Sequence, residues 1–377
     1  MTQMRVMTVV GTRPELIRLS RVIDRLVRSP AIDHILVHTG QNYDYELNQV
    51  FFDELRIPAP DHYLEAARET ASATIGEVIS RIDPLLREHA PDAFLVLGDT
   101  NSCLAAIPAR KHRIPIFHME AGNRCFDLRV PEETNRRLVD HIADVNLPYS
   151  SIARDYLLRE GLPPDRVITT GSPMSEVLSH NARDISASDV CDRLELAPGH
   201  FTVVSAHREE NVSYPDRLDR VVAILNRVAE RFGEPVVFSC HPRTRKAMEK
   251  AGSALDDRVR VMKPLGFFDY ARLQEQARVV LSDSGTISEE ASILGFAALN
   301  LRDAHERPEA MEEAAVMMVG LNPDRVDQAL TVLGEGSRDR PSGRLVRDYD
   351  APEVSEKVLR ILLSYTDYVR RVNWGES

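Results

Sequence analysis

The sequence predicts an α/β protein built from two doubly wound, Rossmann-like domains, and three observations lead there. Short apolar runs alternate with longer amphipathic segments along most of the 377 residues. The alternation breaks near Gly171–Pro173 and restarts at Phe201. Polar, charge-bearing motifs follow strand after strand in both halves. Strands separated by helices at this spacing form parallel βαβ units. A chain of this length exceeds one ordinary core. The first domain is expected over residues 1–172 and the second over 173–354, with a cleft between them and a C-terminal segment, 355–377, packing back on the first.

In the first half the strands are expected at Val6–Val10, Ile35–His38, Ala93–Leu97, Ile114–His118, Val145–Leu147 and Val167–Thr170. Helical periodicity fills Glu15–Leu26 and Ala73–Leu86. The polar stretch Ser179–Asp189 reads as a helix entry or linker. In the second half the strands are Thr202–Ser205, Val236–Ser239, Val259–Met262, Val279–Ser282, Ala297–Leu301 and Val316–Val319. A final helix covers Ser355–Val372.

Composition narrows the function classes. Hydrophobic residues make up 43% and charged residues 28%, the balance of a globular protein. The net charge of −11 argues against a nucleic-acid partner, whose electrostatic footprint would be basic. It also requires any phosphate ligand to be held by local donors. No apolar run reaches the length of a membrane span, and no signal-peptide pattern opens the chain, so a cytoplasmic enzyme is expected. Cys103, Cys125, Cys191 and Cys240 are scattered without CxxC spacing, which indicates neither zinc nor a disulfide framework.

Residues just past the carboxyl ends of strands line the ligand crevice of an open α/β sheet, so the strand-end motifs carry the chemistry. Gly11-Thr12-Arg13-Pro14-Glu15 has capping-box spacing, with arginines at 13 and 18 beside a helix N-terminus, which makes a plausible anion site. Taken alone, it is better explained by a plain capped helix with solvated arginines, since capping boxes are common and no Gly-rich dinucleotide fingerprint is present. Gly98-Asp99-Thr100 follows the next strand, where Asp99 is either a reacting carboxylate or a helix cap. His118-Met119-Glu120-Ala121-Gly122 and Pro131-Glu132-Glu133 with Asn135-Arg136 add acids beside arginines, a pattern for proton chemistry on an anion. The bland alternative is an acidic first helical turn with Arg136 and Arg137 as partners. In the second half, Asp283-Ser284-Gly285-Thr286 offers N–H groups and hydroxyls to a phosphate, and Glu290 can accept from ribose hydroxyls. His207-Arg208 and His241-Pro242-Arg243 end two neighbouring strands. Each motif alone is weak; their recurrence at strand ends is what favours a site.

Together these motifs, with Thr39-Gly40-Gln41 and Glu306-Arg307-Pro308-Glu309, closely resemble the non-hydrolysing UDP-N-acetylglucosamine 2-epimerases, in order and over nearly the whole chain. The resemblance implies the GT-B architecture, a UDP-N-acetylhexosamine substrate held through its UDP, a homodimer, no metal and no nicotinamide or other cofactor. Carried over position by position, it assigns catalysis to Asp99, Glu120, Glu132 and His207. It assigns UDP-sugar binding to Arg13, Arg18, Arg136, His241, Tyr270, Ser284, Gly285, Glu290 and Arg307, with Tyr270 stacking on uracil. Arg18 stands where many members have lysine.

Carbon 2 of an N-acetylhexosamine has no adjacent carbonyl, so its direct deprotonation is prohibitively slow. Departure of UDP from carbon 1 acidifies the neighbouring C–H, and carboxylates then take the proton to give a 2-acetamidoglucal. Reprotonation on the opposite face and return of UDP invert carbon 2. Two departures from the family pattern, Asn42 and Glu209, border a regulatory UDP-sugar site of many bacterial members. The run Asn123–Asp127 and the segment Asp144–Ser150 look more like a subgroup that converts UDP-2-acetamido-2,6-dideoxy-L-talose to UDP-N-acetyl-L-fucosamine for surface polysaccharides. A glycosyltransferase of the same architecture and a UDP-sugar sensor remain as weaker alternatives; neither needs three carboxylates at carbon 2.

Overall fold

A computed structural model of the protein describes residues 2–41, 45–206, 208, 211, 214–335 and 345–376. The expectations attached to Asn42, His207 and Glu209 therefore lie outside the described residues. The chain divides into two compact units, one of residues 1–180 with 348–377 and one of residues 181–347.

The first unit holds β1 (Met4–Val10), β2 (Ile32–His38), β3 (His62–Tyr63), β4 (Ala93–Leu97), β5 (Ile116–Met119) and β6 (Val145–Leu147), in the order β3-β2-β1-β4-β5-β6. Every pairing is parallel. All five residues of β4, Ala-Phe-Leu-Val-Leu, are buried, as expected where helices cover both faces of a parallel sheet. Met7, Val9, Phe94 and Val96 pack with Val78, Ile82 and Leu86 of the helix Ala71–His89. The helix Arg13–Val27 turns Leu16, Leu19, Ile23 and Leu26 inward, at the i, i+3, i+7 and i+10 spacing of a single helical face. Against it lies the C-terminal helix Val354–Val369, tied by Arg25 to Glu356 at 2.7 Å. The chain then continues as a π-helical turn, Arg370–Trp374, and Arg370 reaches Asp92 at 2.9 Å.

The second unit holds β7 (Thr202–Ser205), β8 (Val236–Ser239), β9 (Val259–Met262), β10 (Val279–Ser282), β11 (Ala298–Asn300) and β12 (Met317–Met318), in the order β12-β11-β10-β7-β8-β9. Counted from β7, this is the same doubly wound order as in the first unit. In each sheet the direction of winding reverses at one point, between β1 and β4 and between β7 and β10. Such switch points are where open α/β sheets bind ligands.

Two sequence expectations differ from the structure. Val167–Thr170 is not a strand: it makes one isolated bridge, Val167 to Asn146. Ser179–Asp189 is not a linker at its start, because the helix Met174–Ser186 runs through it.

Candidate active site

In the first unit charged side chains gather past the ends of β1, β4 and β5 and pair with one another. Thr12 opens the helix Arg13–Val27 in extended conformation, and Glu15 reaches back to it. The Glu15 carboxylate accepts from Gly11 N at 2.8 Å, Thr12 N at 2.7 Å and Thr12 Oγ1 at 2.9 Å. Its other oxygen accepts from Thr100 Oγ1 at 2.7 Å, which joins the loop after β1 to the loop after β4. Burial pushes the Glu15 carboxyl up to about 7, against the lowering effect of those four hydrogen bonds. Arg13, at the first helical position, is half-buried with its guanidinium over the Phe51 ring at 5.8 Å.

Glu120 lies one residue past β5 and is nearly buried. Its φ of +63° is left-handed, a conformation that costs a non-glycine residue of order 1–3 kcal/mol and clusters at functional sites. Its carboxylate pairs with Arg18, and Asn123 Nδ2 approaches the other oxygen at 3.4 Å. A Cβ built on Gly98 would lie 3.9 Å from Glu120 Oε2, so the ends of β4 and β5 converge here.

Asp99 follows Gly98 and accepts at Oδ2 from Arg136 Nε at 3.0 Å, with a second, shorter contact to Nη2. Asn135 Nδ2 donates to the Asp99 carbonyl at 3.0 Å. Arg136, expected among the sugar-binding residues, is 2% exposed and pairs also with Glu133 at 2.8 Å. Glu132 and Glu133 form the acidic first turn of the helix Glu132–Ile142. They differ in burial and pairing. Glu133 is fully buried and held low by Cys125 N, Arg137 and Arg136 despite the opposing effect of burial, whereas Glu132 is partly exposed.

The second unit gathers a different set around the ends of β7 and β10. Asp283 is fully buried and accepts at Oδ2 from Arg208 N and Asn211 Nδ2, each at 3.0 Å. Ser284 Oγ contacts Thr286 Oγ1 at 2.9 Å in the turn before the helix Ile287–Leu294. From the position of a Cβ on Gly285, Arg208 Nη2 is 3.8 Å away and Arg302 Nη1 4.0 Å. Arg302 is 3% exposed, and its Nη2 has no hydrogen-bond partner among the described residues. The Tyr270 hydroxyl bonds to the side chains of Ser205 and Ser282, and burial pushes its pKa well up. Glu290 Oε2 accepts from Gln274 at 2.6 Å, and Arg307 pairs with the buried Glu289 at 2.7 Å. His241 ends the adjacent strand β8 at the head of the helix Pro242–Ala251.

The structure thus pairs Arg18 with Glu120 and Arg136 with Asp99 past neighbouring strands of one unit; in the other, Ser284 and Gly285 follow β10, the Tyr270 hydroxyl reaches Ser205 and Ser282 at the ends of β7 and β10, and Glu290 and Arg307 are held by Gln274 and Glu289. Sequence reasoning did not single out Arg302, and it named Asn123 only within the run that resembles the 6-deoxy subgroup, not as a neighbour of Glu120. Arg302 carried a usable signal, because it stands two residues past β11 as the other motifs stand past their strands.

The family profile described as UDP-N-acetylglucosamine 2-epimerase matches residues 24–363. A solved structure named UDP-N-acetylglucosamine 2-epimerase from Rickettsia bellii superposes with a TM-score of 0.92 at 48% identity, covering 100% of both chains. The Methanocaldococcus jannaschii UDP-GlcNAc 2-epimerase, solved in complex with UDP-GlcNAc and UDP, gives a TM-score of 0.88 at 30% identity, covering 96% of this chain and 99% of that one. A Pseudomonas aeruginosa relative named UDP-2,3-diacetamido-2,3-dideoxy-D-glucuronate 2-epimerase is 33% identical over 364 residues, 95% of this chain and 99% of its own length. With two doubly wound Rossmann-like units of the GT-B class and a match over most of its length, the chain belongs to the UDP-N-acetylglucosamine 2-epimerase family, a family of isomerases.

Proposed function

We propose that the protein inverts carbon 2 of UDP-N-acetylglucosamine to give UDP-N-acetylmannosamine, by elimination and re-addition of UDP. The observation that carries this reading is Glu120. It is a nearly buried carboxylate in left-handed backbone just past β5, with Asp99 past the end of the neighbouring strand β4. Proton transfer at carbon 2 needs acid/base groups on two faces of the sugar, and Asp99, Glu120 and Glu132 come from three different elements. The leaving diphosphate needs fixed positive charge. The cluster of Arg208 and Arg302 about Gly285 supplies it, and Arg302 Nη2, without a hydrogen-bond partner among the described residues, is suited to a phosphate oxygen. Ser284 and the helix behind it add donors.

Among the described residues no helix is long and apolar enough to cross a membrane. A soluble, cytoplasmic homodimer that supplies precursors for surface polysaccharide completes the proposal, and light scattering of the purified protein tests the dimer. The decisive experiment is turnover of UDP-N-acetylglucosamine in D2O without added metal or NAD. Deuterium at carbon 2 with a mixture of two epimers is expected. Transfer of the sugar without deuterium would identify a glycosyltransferase, and binding without turnover a sensor.

The identity of the sugar carries a second reading, conversion of UDP-2-acetamido-2,6-dideoxy-L-talose to UDP-N-acetyl-L-fucosamine. The observation in its favour is Asn123, the first residue of the run that resembles that subgroup, whose amide lies beside Glu120.

A further inference from the structure

The helix Glu132–Ile142 carries Glu132, Arg136 and Asp140 at i, i+4 and i+8, one above another on a single face. The first is a candidate catalytic acid and the second holds Asp99. The third is fully buried and has no part in the chemistry described so far. Asp140 accepts from Gly122 N, with both carboxylate oxygens at 3.2 Å, and lies 2.9 Å from His118 Nδ1. It therefore hydrogen-bonds the left-handed turn two residues after Glu120 and faces the His118 ring two residues before it as a charge contact without hydrogen-bond geometry. Gly122 itself has a φ of +82°, and a Cβ there would run into the Ala153 carbonyl, so the turn has one tight seat.

The grip extends to the second carboxylate. His118 is fully buried, and its Nε2 is 2.7 Å from the Gly98 carbonyl oxygen. A carbonyl only accepts, so Nε2 carries the proton and donates it. Gly98, with a φ of +78°, is the residue that turns the chain from β4 into Asp99. Arg124 balances the buried charge: it reaches Asp140 Oδ2 at 2.6 Å and bonds Glu160 through two further nitrogens. His141 also reaches Glu160, at 3.1 Å.

We propose that Asp140 and His118 are positioning residues. Asp140 holds the strained turn that presents Glu120, and His118 transmits that hold to the Gly98 carbonyl ahead of Asp99. One helix face then fixes all three carboxylates relative to one another: Glu132 directly, Asp99 through Arg136 and Glu120 through Asp140. The inference rests on the proposed epimerase reading, in which those carboxylates act on carbon 2. Misplacing a catalytic group by about 1 Å costs on the order of 10²-fold in rate.

The test compares His118→Leu, His118→Gln and Asp140→Asn with the unaltered enzyme. For each, kcat, KM, UDP affinity by calorimetry, and free 2-acetamidoglucal released per epimerisation are measured. His118→Leu removes the donor to Gly98 and should lower kcat on the order of 10²-fold, with KM and UDP affinity within a few-fold. His118→Gln restores a donor at the Nε2 position and should recover most of kcat. Asp140→Asn keeps an acceptor for Gly122 N but loses the charge facing His118, and should fall between them. The impaired variants should leak more glucal per turnover, because reprotonation slows while UDP departure continues. A purely structural role would reduce folded yield or thermal midpoint without changing the leak. If His118→Leu does not fold, the contrast between Asp140→Asn and wild type decides. An Asp140→Asn enzyme with wild-type kcat and wild-type glucal leak would overturn the proposal. An unaltered enzyme that puts no deuterium on carbon 2 would reject the epimerase reading instead.

Discussion

Glu15 and Thr100 stand 85 positions apart, and the Thr100 hydroxyl donates to Glu15 Oε1 at 2.7 Å. This contact joins the loop that carries Arg13 to the loop that carries Asp99, and it has a pH dependence. Three donors converge on Glu15 Oε2, while the Thr100 hydroxyl and, at 3.9 Å, the Cys103 thiol face Oε1. A neutral Glu15 fits the same frame by donating from Oε1 to Thr100. With its pKa raised from 4.5 to about 7, folded Glu15 keeps its proton in a range where the unfolded chain has lost it. Stability from this group is therefore greatest below pH 4.5 and falls as pH rises toward 7, with a full cost of order 3 kcal/mol above that. Glu15→Gln mimics the neutral form. Its denaturation midpoint should exceed that of wild type at pH 8, and the difference should shrink toward pH 5. A constant difference across that range would show that Glu15 is not the titrating group.

The acids make a second prediction. Asp99→Asn, Glu120→Gln and Glu132→Gln each keep shape and remove proton transfer, which should lower turnover roughly 10²–10⁴-fold. UDP affinity should change far less. Near-wild-type turnover in all three folded variants would show that these carboxylates serve as helix caps and ion-pair partners only.

Arg18 predicts a stability effect. It shares a buried ion pair with Glu120, both side chains being 8% exposed. Removing one partner of such a pair typically costs about 3–5 kcal/mol, because the other charge stays buried. Arg18→Met should therefore lower the urea midpoint at constant slope, whereas Arg18→Lys should keep most of the stability. Equal midpoints for Arg18→Met and wild type would mean that Glu120 is solvated in solution.

Much of this was legible in the sequence, for a physical reason. Parallel strands covered on both faces are nearly continuous apolar runs, so β4 was readable to the residue. Short edge strands are not: His62–Tyr63 lies in a polar stretch between prolines and charges, and its order comes from pairing with Val37 and His38. Val167–Thr170 has the composition of a strand, yet only Ile168 N to Asn146 O and Thr170 N to Pro148 O join it to its neighbour, because β6 is three residues long. At the site, position past a strand end pointed to Asp99, Glu120 and Ser284. What the sequence did not disclose is which charges neutralise one another. Arg18 and Arg136 read as cations for a ligand, and only the three-dimensional structure shows them paired with Glu120 and Asp99.

The proposed nucleotide-binding residues make a fourth prediction. Ser284 offers its hydroxyl at the turn where Arg208 and Arg302 converge. A hydrogen bond to a charged group contributes about 1.5–3 kcal/mol. Ser284→Ala should thus weaken UDP binding on the order of 10–10²-fold by calorimetry, raising KM more than it lowers kcat. Unchanged affinity would place the diphosphate elsewhere.

The last prediction concerns the sugar. Family members at similar identity are named for different UDP-acetamido sugars, UDP-GlcNAc in one case and a diacetamido glucuronate in another. The shared chemistry acts at carbons 1 and 2, so the substituent at carbon 6 is free to differ without disturbing Asp99, Glu120 or Glu132. A pocket shaped around a methyl group leaves a hydroxyl unpaired, and discrimination of that kind is modest, about 1–3 kcal/mol. UDP-N-acetylglucosamine should therefore bind whichever sugar is preferred, and only the ratio of kcat/KM values separates the two readings. If UDP-N-acetylglucosamine is the substrate, its kcat/KM should exceed that of the 6-deoxy talose compound by more than about tenfold, equivalent to about 1.4 kcal/mol. A ratio reversed by the same margin would assign the enzyme to the 6-deoxy sugar.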